Sequence, residues 1–77
     1  MKQNDFQALY TLMFAEYPDI VTVRDLQTML GISRHAAYDL LNDHSIRGIK
    51  LGNTYKIPKI NVIRYVLENG VLETAHA

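Results

Sequence analysis

The sequence has no cysteine, so neither a disulfide framework nor a thiolate zinc site holds the chain together. It also lacks a long apolar run. The longest, Leu12-Met13-Phe14-Ala15, falls far short of the roughly 20 residues that span a bilayer, so no membrane partner is expected. The opening Met1-Lys2-Gln3-Asn4-Asp5 has neither the apolar core nor the cleavage site of a signal peptide. A soluble, cytoplasmic protein is the expectation. His35, His44 and His76 share no metal-ligand spacing with carboxylates, and no metal site is expected. No nucleophile–base pair and no glycine-rich phosphate loop is visible, so the sequence gives no basis for an enzyme and implies no cofactor.

Net charge is zero, which at first sight argues against nucleic acid as a partner. Its distribution argues otherwise. Residues 1–30 carry a net −2, residues 31–59 a net +3 from Arg34, Arg47, Lys50, Lys56 and Lys59 over Asp39 and Asp43, and residues 60–77 a net −1. That is a small basic stretch on a neutral body, suited to modest phosphate binding. At 77 residues with 48% apolar and 21% charged side chains, the chain is expected to form one small domain. Chains of this size bury little more than about 60% of their unfolded surface, so the core is modest.

Phe6, Leu9, Tyr10, Met13, Phe14 and Tyr17 recur at helical spacing and predict an amphipathic helix over 4–17. Asn4 and Gln7 can form its capping box, and Pro18-Asp19 closes it. Its aromatic face either enlarges the core or makes a dimer or partner contact. After a short extended Ile20-Val21, Thr22-Val23-Arg24-Asp25 fits a capping box that opens a second helix. Val23, Leu26 and Leu30 share one face of it, and Gly31 ends it in a positive-φ conformation. Ile32 plugs inward and Ser33 caps a third helix, buried through Ala37, Leu40 and Leu41 and ended near Asp43 by a left-handed His44. So short a turn between caps forces the two helices to cross steeply, a helix-turn-helix over 22–43.

Ile49-Lys50-Leu51 and Tyr55-Lys56-Ile57 alternate about Gly52-Asn53, which predicts a β-hairpin over 46–57. A lone hairpin needs a helix behind it. Pro58 can start that helix, Val62, Ile63, Val66 and Leu67 give it an apolar face, and Asn69-Gly70 ends it near 69, leaving 70–77 as a tail. The expected fold is therefore mostly α with a small β-hairpin, a winged helix-turn-helix with an extra N-terminal helix and a C-terminal helix.

The run Leu30-Gly31-Ile32-Ser33-Arg34, with Tyr38, Gly52 and Tyr55-Lys56-Ile57-Pro58-Lys59, resembles the excisionase-type members of the MerR-like winged helix-turn-helix group of phages and conjugative transposons. The resemblance covers about 20–69. It departs at Asp39, where the family often has a basic residue, and at Asn53 and Thr54, where the wing turn often has arginine. It implies a bacterial, non-catalytic DNA-binding protein that binds and bends double-stranded DNA beside a recombination junction and assists a recombinase. Position by position, it implies a recognition-helix face of Ser33, Arg34, His35, Tyr38 and Asn42. Arg34 is suited to a bidentate contact with guanine and Asn42 to adenine, while Tyr38 offers a hydroxyl to phosphate. Asp39 accepts either from cytosine or from Arg34 or His35.

Thr22 and Arg24 would grip the backbone at a helix N-terminus. Lys50, Asn53, Thr54 and Lys56 would contact phosphate or the minor groove from the wing, with Tyr55 a core residue. Two other readings stay open: a small transcriptional regulator of a mobile element, self-associating through the helix face from Phe6 to Tyr17, and a protein-interaction module that keeps the fold with little DNA affinity.

Overall fold

The chain is organised by the short turn between its two central helices, which a computed structural model describes together with the rest of residues 3–76, side-chain exposure being described for 7–69. Thr22 accepts the Asp25 N–H through its hydroxyl, and the Asp25 carboxylate accepts the Thr22 N–H in return. This reciprocal cap satisfies two donors that a helix start leaves open and launches α2, Val23–Leu30. Gly31 stops it at φ 65°, and the Gly31 and Ile32 N–H groups both turn back to the Gln27 carbonyl. The Ser33 hydroxyl then accepts the Ala36 N–H and opens α3, Arg34–Asn42. His44, at φ 65°, closes it.

Strand β1 (Ile20–Val21), β2 (Ile49–Leu51) and β3 (Thr54–Pro58) form one antiparallel sheet in the order β1-β3-β2. Helix α1, Gln3–Leu12, precedes it and α4, Lys59–His76, follows. The result is a mostly helical winged helix-turn-helix with a three-stranded sheet. Ile20-Val21 is thus a full member of that sheet. Its Val21 lies opposite Ile57 and both are completely buried, in one cluster with Leu26, Ala37, Ile46 and Val62.

Three expectations change. The first helix ends at Leu12, not 17, because Phe14 takes φ 53° and Pro18 disfavours helical backbone at Tyr17. Turning there lets the Phe14 and Tyr17 rings meet edge-to-face, 6.2 Å apart, and pack on the core. The capping box expected from Asn4 and Gln7 lies outside the described side chains. At the other end α4 does not stop at Asn69-Gly70 but runs to His76. An interior glycine costs a helix about 1 kcal/mol relative to alanine without forbidding it, and the Asn69 amide donates back to the Tyr65 carbonyl. Any docking of Val71 or Leu72 lies outside the described side chains.

Pro58 is the last residue of β3 rather than the first of α4, paired with Ile20 where β2 has already ended; with one neighbour only, the missing N–H is tolerated. The register of the wing fixes which face of β2 is turned outward. Ile49 lies opposite Lys56 and Leu51 opposite Thr54, so both apolar residues of β2 face outward, 58% and 55% exposed. The inward place belongs to Gly48, whose Cα approaches Ile57, Leu41 and Tyr55 so closely that a methyl group there would press on all three. Ile46, ahead of the strand, supplies the buried side chain instead.

Candidate nucleic-acid interface

Residues spaced by four on α3 form a stripe, Arg34, Tyr38 and Asn42, that faces β3. The Arg34 guanidinium lies 5.3 Å from the centroid of the Tyr38 ring, and its Nη2 donates to the Tyr38 hydroxyl at 3.5 Å. Tyr38 meets Tyr55 edge-to-face at 6.0 Å. The Tyr55 hydroxyl in turn donates to the Asn42 side-chain carbonyl at 3.2 Å. A single chain of contacts therefore runs from the exposed cation through two half-buried rings to the end of α3.

Arg34 and Tyr38 of this stripe wall a cleft of about 260 Å³ between the start of α2, α3 and the wing, lined also by Thr22, Val23, Arg24, Asn53, Thr54, Tyr55 and Lys56. Three cations, Arg24, Arg34 and Lys56, converge on it from three elements. Among the described residues, none of the three has a carboxylate partner, so their charge faces outward unneutralised. A second depression beside it is lined by Arg24, Gln27, Thr28 and Arg34. Gln27 and Thr28 were not foreseen as site residues; their signal in the sequence is the spacing i, i+3, i+4 from Arg24 on the polar face of α2.

Of the residues expected to act together, Thr22, Arg24, Arg34, Tyr38, Asn53, Thr54 and Lys56 share the cleft. The others stand apart. The Ser33 hydroxyl is occupied as a helix cap, as the Thr22 hydroxyl is. Thr54 Oγ1 donates to the Leu51 carbonyl and closes the wing turn. Asn42, exposed at the end of α3, accepts the Tyr55 hydroxyl through Oδ1. Lys50 is exposed on β2 outside the cleft, opposite Tyr55. His35 projects into solvent and sits 3.4 Å from Asp39, both largely exposed.

The basic stretch of the sequence is divided in space. Arg47 lines a separate depression with His44, Ser45, Asn61 and Arg64. Lys59 is buried, only 5% exposed; its ammonium donates to the Tyr17 carbonyl at 2.9 Å and the Phe14 carbonyl at 3.4 Å, and sits 5.0 Å from the Tyr10 ring centroid. Neither belongs to the cleft. Among the described residues no group of histidine and carboxylate side chains is placed to hold a metal ion, and no helix is long and apolar enough to cross a membrane.

A family model described as a helix-turn-helix domain matches residues 20–70, from β1 into α4. No curated protein and no solved structure matches the chain.

Proposed function

The chain belongs to the helix-turn-helix domain family, a family of DNA-binding domains, and from that premise we propose that it is an excisionase-like accessory factor. On this reading it binds double-stranded DNA beside a recombination site, bends it, and so assists a recombinase without catalysing the reaction. Helix α3 enters the major groove from its N-terminal end, and the wing lies over the neighbouring backbone. The observation that carries DNA binding is the convergence of Arg24, Arg34 and Lys56 on one cleft beside the start of α3.

The count of cations supports an accessory role. Neutralising at most three phosphates gives a salt slope no steeper than about −2.7, a loss of at most roughly 40-fold in affinity between 50 and 200 mM salt. Dedicated DNA binders with more phosphate contacts show far steeper slopes. A lone copy therefore binds weakly, and specificity comes from adjacent copies or from a DNA-bound recombinase through effective concentration. Bending costs of order 1–6 kcal/mol and is offset by the contacts the bend allows.

The test is in vitro site selection with the full chain, then a bending assay in which the selected site is permuted along a fragment. Repeated, non-palindromic sites with a bend of roughly 40–90° fit the proposal. A palindrome bound without bending overturns it in favour of a transcriptional regulator; the exposed Leu9 and Leu12 of α1, 38% and 74% accessible, offer a second copy an apolar face. Absence of any salt-sensitive binding turns the reading to a protein-interaction module.

A further inference from the structure

Asn42 ends α3, a full two turns from Arg34, and at the surface its side-chain carbonyl accepts the Tyr55 hydroxyl. Its place in the stripe suggests a different task from base reading. We propose that Tyr55 and Asn42 are positioning residues for Arg34, coupling the wing to the recognition helix so that the guanidinium is set before DNA arrives. This rests on the DNA-binding reading above and specifies which side chains determine its specificity.

Each link has a physical warrant. An exposed arginine carries a large rotamer entropy, which a specific contact must overcome. Stacking over Tyr38 restricts that freedom, since a cation over an aromatic face is attracted to it even when exposed. Tyr38 supports the cation only if its own ring is fixed, and the edge of Tyr55 does this from the opposite element. Tyr55 in turn has its hydroxyl end anchored by the Asn42 carbonyl. Arg24 and Lys56 line the same cleft, Lys50 lies opposite Tyr55 on β2, and Asp39 sits beside His35. The wing thus does more than touch DNA; it braces the reader.

Tyr55→Phe keeps the ring and its packing and deletes only the hydroxyl, so the fold survives. The probe is a short duplex recovered by in vitro selection with the full chain, compared with a duplex of random sequence. Tyr55→Phe weakens the selected duplex about five-fold, the worth of one ordinary hydrogen bond, and leaves both random-sequence binding and the salt slope unchanged. In an Arg34→Ala background the same change has no effect, because the group it positions is gone. In the free protein, the side-chain protons of Arg34 lose the ring-current shift that Tyr38 imposes.

Equal loss in both backgrounds, or wild-type affinity and an unmoved Arg34 spectrum, overturns the proposal. Failure of the DNA-binding reading is visible earlier and separately, as a wild-type chain that selects no duplex; the Arg34 spectrum then still decides whether the bracing exists.

Discussion

Lys59 separates two accounts of the same residue. By sequence position it is one of five cations in the basic stretch; in the fold it is a buried clasp holding the turn after α1 to the start of α4. Lys59→Met replaces it by an apolar side chain of similar length. A hydrogen bond from a charged donor contributes about 1.5–3 kcal/mol, and the bond to Tyr17 has full strength at 2.9 Å while that to Phe14, at 3.4 Å, is weak. Losing them also leaves the two carbonyls with one partner fewer. Against this stands the relief of desolvating a buried ammonium.

The balance is a destabilisation of about 2 kcal/mol, a large part of the roughly 4–12 kcal/mol available to a chain of this size, or a fall in Tm of roughly 10 °C. Urea unfolding followed by circular dichroism measures it. Under folding conditions the salt slope of DNA binding stays at the wild-type value, because the ammonium never faced phosphate. A stability change below about 0.5 kcal/mol, the size of a plain surface substitution, or a slope shallower by about one unit, refutes the clasp.

The other expectations are brief. Arg34→Ala weakens a selected duplex by about 1–3 kcal/mol if Arg34 reads a base, measured by fluorescence anisotropy; unchanged affinity removes it from the interface. Lys56→Ala lowers the salt slope by about 0.9 for its one phosphate, whereas Arg47→Ala leaves it alone; equal effects would mean that the cleft does not define the face. The Tyr10 hydroxyl donates to the Asp19 carboxylate, and that bond first, with burial and the nearby negative charge behind it, holds its pKa above the ordinary 10.0. A raised value means that the fold favours the neutral phenol. The stabilisation is complete below 10.0 and is lost as pH rises through the folded value. Urea midpoints of wild type and Tyr10→Phe therefore converge in strong alkali, and a constant gap would deny the coupling.

The parts of this fold legible in the sequence are those whose cause is local. Thr22 with Asp25, Gly31 and Ser33 each act on backbone groups within four residues, so their spacing alone specifies two helices and the turn between them. His44 is another such case, a residue type tolerant of positive φ placed where a helix runs out of apolar residues. What escaped depends on a partner distant in the chain. Alternation along Ile49-Lys50-Leu51 says that one face differs from the other, but not which faces the core. Gly48 and Ile46 decide that, by leaving room for Ile57 and filling the space beside it.

The candidate site divides along the same line. Arg34 and Lys56 were found as exposed cations on a helix start and a wing, which is a property of their own elements. That Asn42 is engaged by Tyr55, thirteen residues on, and that Lys59 is engaged by carbonyls of Phe14 and Tyr17 over forty residues back, is written only in the packing. Charge counted along a sequence therefore overstates a binding face wherever a lysine is recruited to cap a distant turn. With Lys59, Arg47 and Lys50 removed from the count and Arg24 added to it, the cations on the cleft come from α2, α3 and β3. A patch assembled from three elements holds its spacing only while those elements stay docked, so its affinity for phosphate is tied to the integrity of the wing.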